Sequence, residues 1–143
     1  MSGPRVLFVT PTTPWPANSG GRIRSSQLIE RAGKEARITL FTVSPPGEIT
    51  PPPQPLIEAC ERIEVFKRNR PGLLARFALS KLERSFHSHL LHSAVQAALC
   101  EDSYDLVHID ELSVARAVGF SANVPVLVHH HKLDAHFATE LAR

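Results

Sequence analysis

Short apolar runs that stop at proline or at polar residues recur along this chain, and they leave little freedom in what it can fold into. RVLFVTP (5–11), EARITLFTVS (35–44), the stretch around Ile63–Phe66, YDLVHID (104–110) and VPVLVHHH (124–131) are short and mostly β-branched or aliphatic. Continuous apolar runs of that length belong to strands covered on both faces, whereas half-buried strands alternate. Helical spacing fills the intervals. Ile23, Leu28, Ile29 and Ala32 mark a helix over 21–34, with Gly33 near its end. Leu73, Leu74, Phe77, Leu82, Phe86, Leu90, Val95 and Leu99 predict a longer helix over 72–101. A short helix is expected before the strand at Ile63–Phe66, another over 111–119, and one more from Lys132 onward. PPGEITPPPQP (45–55) holds six prolines and one glycine in eleven residues and reads as a surface loop.

Strands alternating with helices predict an α/β class: a Rossmann-like, open, mainly parallel sheet with helices on both faces. The 143 residues fit one domain, 1–143, within the usual range of about 100–200. Ligands of such sheets bind beyond the carboxyl ends of the strands. That rule singles out Pro11–Gly21, His108–Glu111 and His129–Asp134 as the candidate site.

Charge excludes some classes and leaves others. Sixteen basic against fourteen acidic residues give a net charge of +2, no global case for nucleic acid. Locally, 67–92 carries Lys67, Arg68, Arg70, Arg76, Lys81 and Arg84 against Glu83 alone. Such a basic helix is either a solvated face or a peripheral membrane contact. Cys60 and Cys100 have no CxxC neighbour and sit in apolar-periodic stretches, so both are expected to be buried thiols. No run reaches the ~18 apolar residues of a membrane span, and the N-terminal apolar run is too short for a secretory signal. A cytoplasmic setting is the expectation, peripheral at the inner membrane face if the basic helix binds there.

The chemistry sits at the strand ends. Gly20 and Gly21, followed by Arg22, stand where a helix begins; glycine permits positive φ and close backbone approach, and free amides at a helix start favour phosphate. A plain tight turn explains the pair equally well. In HHH (129–131), alternation puts His129 and His131 on one side and His130 on the other. His131 is expected to emerge into the crevice, where an imidazole polarises or deprotonates a hydroxyl. Structural hydrogen bonding and a metal shared by His129, His131 and His136 are the rival readings, although zinc-type spacing is absent. Asp110 either binds ligand hydroxyls or caps the following helix, the cap being somewhat favoured; Glu111 stands beside it.

Taken in order, these segments resemble the amino-terminal half of group 1 glycosyltransferases of the two-domain GT-B architecture. RVLFVTPTTPWPANSGGRIRSSQLIERAGKEARITLFTVSPP is similar to that family's strand, proline-containing loop, Gly-Gly pair, helix and "HEVTLFT" strand. YDLVHID is similar to "PDVVHVH", and VPVLVHHHKLDAHFATELAR to "KPVVLDEHNVESELYRRLA". The resemblance implies one half of a GT-B enzyme, the acceptor-side domain. It also implies a nucleotide-sugar donor as co-substrate, an acceptor hydroxyl, retention at the anomeric carbon, and no cofactor or metal. Gly20 and Gly21 would face the diphosphate and the transferred sugar, with Arg22 beside them. His131 would contact the reacting groups. Asp110, Glu111, Lys132 and Asp134 become candidate acceptor-binding residues, Lys132 standing for the family's asparagine and Asp134 for a glutamate.

The family's donor-site pattern of two glutamates eight positions apart is absent, as is the DxD of the other glycosyltransferase fold. The expectation is therefore a domain whose donor-binding partner, in cis or in trans, is a separate sequence, and which is inactive alone. The alternatives are a non-catalytic α/β module recruited to a partner or membrane through 67–92, and a metal-dependent hydrolase built on the histidines.

Overall fold

The computed structural model describes residues 3–47, 50–79, 81–119 and 123–130. The order of elements is β1 (Arg5–Thr10), α1 (Gly20–Ala32), β2 (Arg37–Ser44), α2 (Gln54–Ala59), β3 (Cys60–Lys67), α3 (Leu73–Ala78), α4 (Lys81–Ser85), α5 (His89–Glu101) and β4 (Leu106–Asp110). A 3-10 turn (Leu112–Val114) then runs into α6 (Ala115–Val118), followed by β5 (Val126–His129). The five strands lie in the order β3-β2-β1-β4-β5, and every pairing is parallel. This is the Rossmann-like open sheet that the apolar runs predict.

The continuous apolar runs have the expected physical cause in β1, β2 and β4, which are buried, but not in the edge strands β3 and β5, where Val65, Leu127 and Val128 are exposed among the described residues. Along β1, Leu7 and Val9 point to one face and pack with Leu91, Val95 and Ala98 of α5. Val6 and Phe8 point to the other, against Ile29 of α1, Leu56 of α2 and Trp15. Both faces are dry from Val6 to Val9, so those four positions have no reason to be polar. Gly33, at the end of α1, is fixed by contact: a Cβ there would come within 2.4 Å of the Ala59 carbonyl oxygen. Any side chain would drive α1 away from α2.

The direction in which strands are added to the sheet reverses at β1. The sheet grows one way through β2 and β3, then returns across the opposite face by way of α5 to β4 on the other side of β1. A crevice opens at such a switch point, above the carboxyl ends of β1 and β4.

Three expectations need correction. The single helix over 72–101 is three pieces, α3, α4 and α5. Leu79 is extended, and Ser88 ends the second break by accepting from the Leu91 N–H, a helix cap, while its hydroxyl lies 2.9 Å from the Lys67 carbonyl oxygen. Asn69 ties the same bend to the end of β3, donating to the His87 carbonyl and accepting from the His89 N–H. Apolar spacing of three to five residues persists through these kinks, so periodicity alone hides them. The proline-rich loop also gives up its last residues to α2, where Pro55 sits in the first turn and loses no helical hydrogen bond. The cysteines are not both buried: Cys100 is exposed, while Cys60 is partly buried and its thiol is pushed up to about 12.

Candidate functional site

The proline loop after β1 is pinned by its own side chains. Thr10 Oγ1 lies 2.6 Å from Thr42 Oγ1 on β2 and 2.9 Å from the Thr12 carbonyl oxygen. The Thr13 N–H donates to the Val43 carbonyl, and Thr13 Oγ1 donates to the Trp15 carbonyl. Trp15 is buried beneath the loop, and its indole N–H donates to the Thr50 carbonyl at 2.7 Å. The Trp15–Pro16 peptide is cis. The loop is thus a fixed wall.

That wall delivers the chain to α1. Ser19 is extended and makes no side-chain capping bond, so the first amides of the helix are not satisfied by their cap. Gly20 and Gly21 follow as the first two helical residues. Neither has positive φ, so the conformational reason considered for them does not hold. The reason is space: a Cβ built at either meets nothing within 4 Å, and both border a cleft of about 990 Å³. A side chain at either would not collide with the protein.

One turn further, at i+4 from the glycines, stand Arg24 and Ser25. Arg24 Nη2 lies 2.6 Å from Asp110 Oδ1, at the end of β4. Ser25 Oγ lies 2.5 Å from Asp110 Oδ2 and 2.9 Å from the Gly21 carbonyl oxygen. Asp110 therefore braces α1 against the sheet and does not cap the helix after it. Its burial raises the carboxyl above the ordinary carboxylate range, with Ser25 and Arg24 pulling the other way. Arg24 also places Nη1 at 2.8 Å and 3.0 Å from the two ring nitrogens of His129 on β5. His129 stands edge-on to His108, 6.1 Å between centroids, and His108 lies 4.1 Å from the Phe8 ring. Burial, helped by His129 and Arg24, lowers His108 to about 4. His108 is consequently a neutral packing group beneath the site.

Glu111 follows Asp110 with φ 91 and ψ 142, a conformation that glycine alone enters without cost. Its N–H donates to the His129 carbonyl at 2.9 Å, extending the β4–β5 ladder past the strand end. The strained residue borders the cleft.

Of the sequence candidates, Gly20, Gly21, Arg22, Asp110 and Glu111 come together around this one cleft, joined by His129 and His130. His131, Lys132 and Asp134 lie outside the described residues. Arg22 folds back over the loop, its guanidinium 3.5 Å from both Asn18 Oδ1 and Thr12 Oγ1. The sequence reading missed Arg24 and Ser25, although their i+4 spacing from the glycines puts them on the same helix face. It also missed Arg68 and Phe86, which border the cleft from the two ends of the α3–α4 excursion. Arg68 stacks at 5.0 Å over Phe86; burial lowers its guanidinium pKa, and its buried Nε has no hydrogen-bond partner among the described residues. Nothing in the local sequence distinguishes Arg68 from the cations around it.

In chemical terms, the cleft offers helix-start amides and three arginines on its walls, Arg22, Arg24 and Arg68, with imidazoles and carboxylates along the strand ends. The first set suits a phosphate and the second suits hydroxyls. Among the described residues, no three His, Cys, Asp or Glu side chains gather to hold a metal; His131 and His136, on which the metal reading also draws, lie outside them.

No family model matches the chain, and no curated protein matches it. Among solved structures it is similar to the C-terminal domain of a hydrogenase from Pyrococcus furiosus, with a TM-score of 0.59 and 17% identity over 88% of this chain and 91% of that one. At that identity the likeness carries the fold alone.

Proposed function

We propose that this chain is the acceptor-side domain of a glycosyltransferase that moves a sugar from a nucleotide sugar to an acceptor hydroxyl. One observation carries the reading: the open first turn of α1, at Gly20 and Gly21, and the ends of β4 and β5, at Asp110 and His129, border a single cleft. Sugar transfer needs that pairing. The bond from the anomeric carbon to the diphosphate oxygen breaks as the bond to the acceptor oxygen forms. Negative charge therefore grows on the diphosphate while the acceptor hydroxyl gives up a proton.

The α1 amides, Arg22 and Arg68 supply the positive side. Two glycines leave room for backbone approach where any larger residue would fill the space. On the hydroxyl side, the resemblance assigns the reacting contact to His131, and His129 and His130 bring further imidazoles to the same strand end. Asp110, committed to Arg24 and Ser25, serves as a positioning residue. Glu111 is the carboxylate assigned to acceptor hydroxyls. The donor nucleotide would be held chiefly by a second domain, so the chain alone should bind weakly and turn nothing over.

Affinity for nucleotide sugars, measured by calorimetry or ligand-observed NMR, tests the reading. UDP-glucose or GDP-mannose should bind in the millimolar range and lose roughly tenfold or more in Gly21→Val, while free glucose and mannose bind far more weakly. Equal binding of charged and neutral sugars, or no effect of Gly21→Val, would overturn it.

A further inference from the structure

The chain leaves the cleft wall at Arg68, forms α3 and α4, and returns to the wall at Phe86. Within that excursion α3 buries none of its residues. Leu73 is 72% exposed, and Leu74 and Phe77 are each 86% exposed, the most open large apolar side chains among the described residues. At about 100° per residue these three positions fall within one sector of roughly 100° on the helix surface. A lone exposed leucine needs no explanation, but a helix face made of two leucines and a phenylalanine does.

Its surroundings identify what covers it. From Lys67 to Phe86 the sequence holds six cations and one carboxylate. That carboxylate, Glu83, is engaged by Arg116, with Nε 2.7 Å from Oε1. Lys67, Arg70, Arg76, Lys81 and Arg84 are exposed. An apolar ridge in a segment rich in exposed cations matches a bilayer surface: the apolar tips enter the acyl boundary while the cations stay at the level of anionic headgroups.

We propose that α3 docks this protein onto an anionic lipid surface, with Leu73, Leu74 and Phe77 inserted and Arg70, Arg76, Lys81 and Arg84 on the headgroups. The proposal does not depend on the sugar-transfer reading. Among the described residues no helix is long and apolar enough to cross a membrane, so the contact is peripheral.

Co-flotation with vesicles tests it at physiological salt. The full chain should float with vesicles of phosphatidylglycerol and phosphatidylcholine, and at least roughly tenfold less with phosphatidylcholine alone. Leu74→Ser/Phe77→Ser and Arg76→Gln/Lys81→Gln/Arg84→Gln should each lower binding to the anionic vesicles by roughly tenfold or more. All five positions are solvent-facing, and circular dichroism checks that the variants keep the fold. Phe77→Trp supplies a second readout, since its indole emission should shift to the blue on anionic vesicles. Absence of flotation, flotation that neither variant weakens, or an unshifted indole would overturn the proposal. So would a self-associated wild type, dispersed by Leu74→Ser/Phe77→Ser, that ignores vesicles.

Discussion

Arg24 and Asp110, 86 positions apart in sequence, meet at 2.6 Å and lock the first turns of α1 to the end of β4. The aspartate is almost fully buried and the arginine about one-third exposed, so solvent screens the pair on one side only. Asp110→Ala would take the carboxylate from the Arg24 guanidinium and the Ser25 hydroxyl, leaving them His129 and the Gly21 carbonyl. The expected cost is about 1–3 kcal/mol in chemical denaturation, with Asp110→Asn costing less because the amide keeps one acceptor. A loss within error for Asp110→Ala would mean that the brace contributes nothing.

Replacing the paired glycines should separate stability from binding. Neither Gly20 nor Gly21 has a neighbour where a Cβ would go, and both sit in helical backbone. Gly20→Ala and Gly21→Ala are thus expected to hold or raise stability, by up to about 1 kcal/mol each, since alanine loses less freedom on folding. Phosphate-bearing ligands should bind more weakly in the same variants. Thermal melts and ligand titrations run on one preparation decide between this and a steric role, for which both quantities would fall.

Glu111 supplies a strain prediction. A non-glycine residue at φ 91 carries a backbone penalty of roughly 1–3 kcal/mol. Glu111→Gly should therefore raise stability by about 1 kcal/mol, after the greater chain entropy of unfolded glycine is subtracted. If denaturant midpoints show Glu111→Gly to be less stable, the carboxylate has a structural partner that outweighs the strain.

Acid stability should report on His108. Its folded-state value of about 4 lies below the usual 6.5, so the fold holds it neutral. A depressed histidine contributes stability that is fully present above pH 6.5 and is lost as the pH falls toward 4. The shift corresponds to about 3 kcal/mol over that window. Asp110, whose value is raised, acts with the opposite sign, so the wild-type curve alone cannot isolate the histidine. His108→Phe, which keeps a ring against Phe8, should flatten the decline between pH 6.5 and 4. Equal slopes for the two proteins would contradict the assignment.

How much of this was legible in the letters depends on the range of the interaction. The central strand was readable because both its faces are dry, so Val6 to Val9 are apolar without a break, whereas the edge strands β3 and β5 leave Val65, Leu127 and Val128 exposed. The start of α1 was readable from Gly20 and Gly21, although one of the two reasons offered fails: glycine there leaves room for backbone approach but does not supply positive φ. The breaks around Leu79 and Ser88 were not readable. The one at Ser88 is set by Asn69 and the Lys67 carbonyl, contacts about 20 positions away that apolar periodicity does not register. For Asp110 the local reading weighs a ligand contact against a helix cap and slightly favours the cap for the same reason, since its partners Arg24 and Ser25 lie on α1. A local rule sees Asp before a helix; only the folded chain brings Arg24 to it.

The central claim is that one ligand spans the α1 amides and the strand-end histidines. Amide- and imidazole-resolved NMR during titration with a nucleotide sugar tests it most directly. The Gly20 and Gly21 amides and the His129 and His130 ring signals should shift together along one binding curve with a shared Kd. If the glycine amides move while both imidazoles stay still, or the two sets saturate at different concentrations, the cleft is not one site and the account fails.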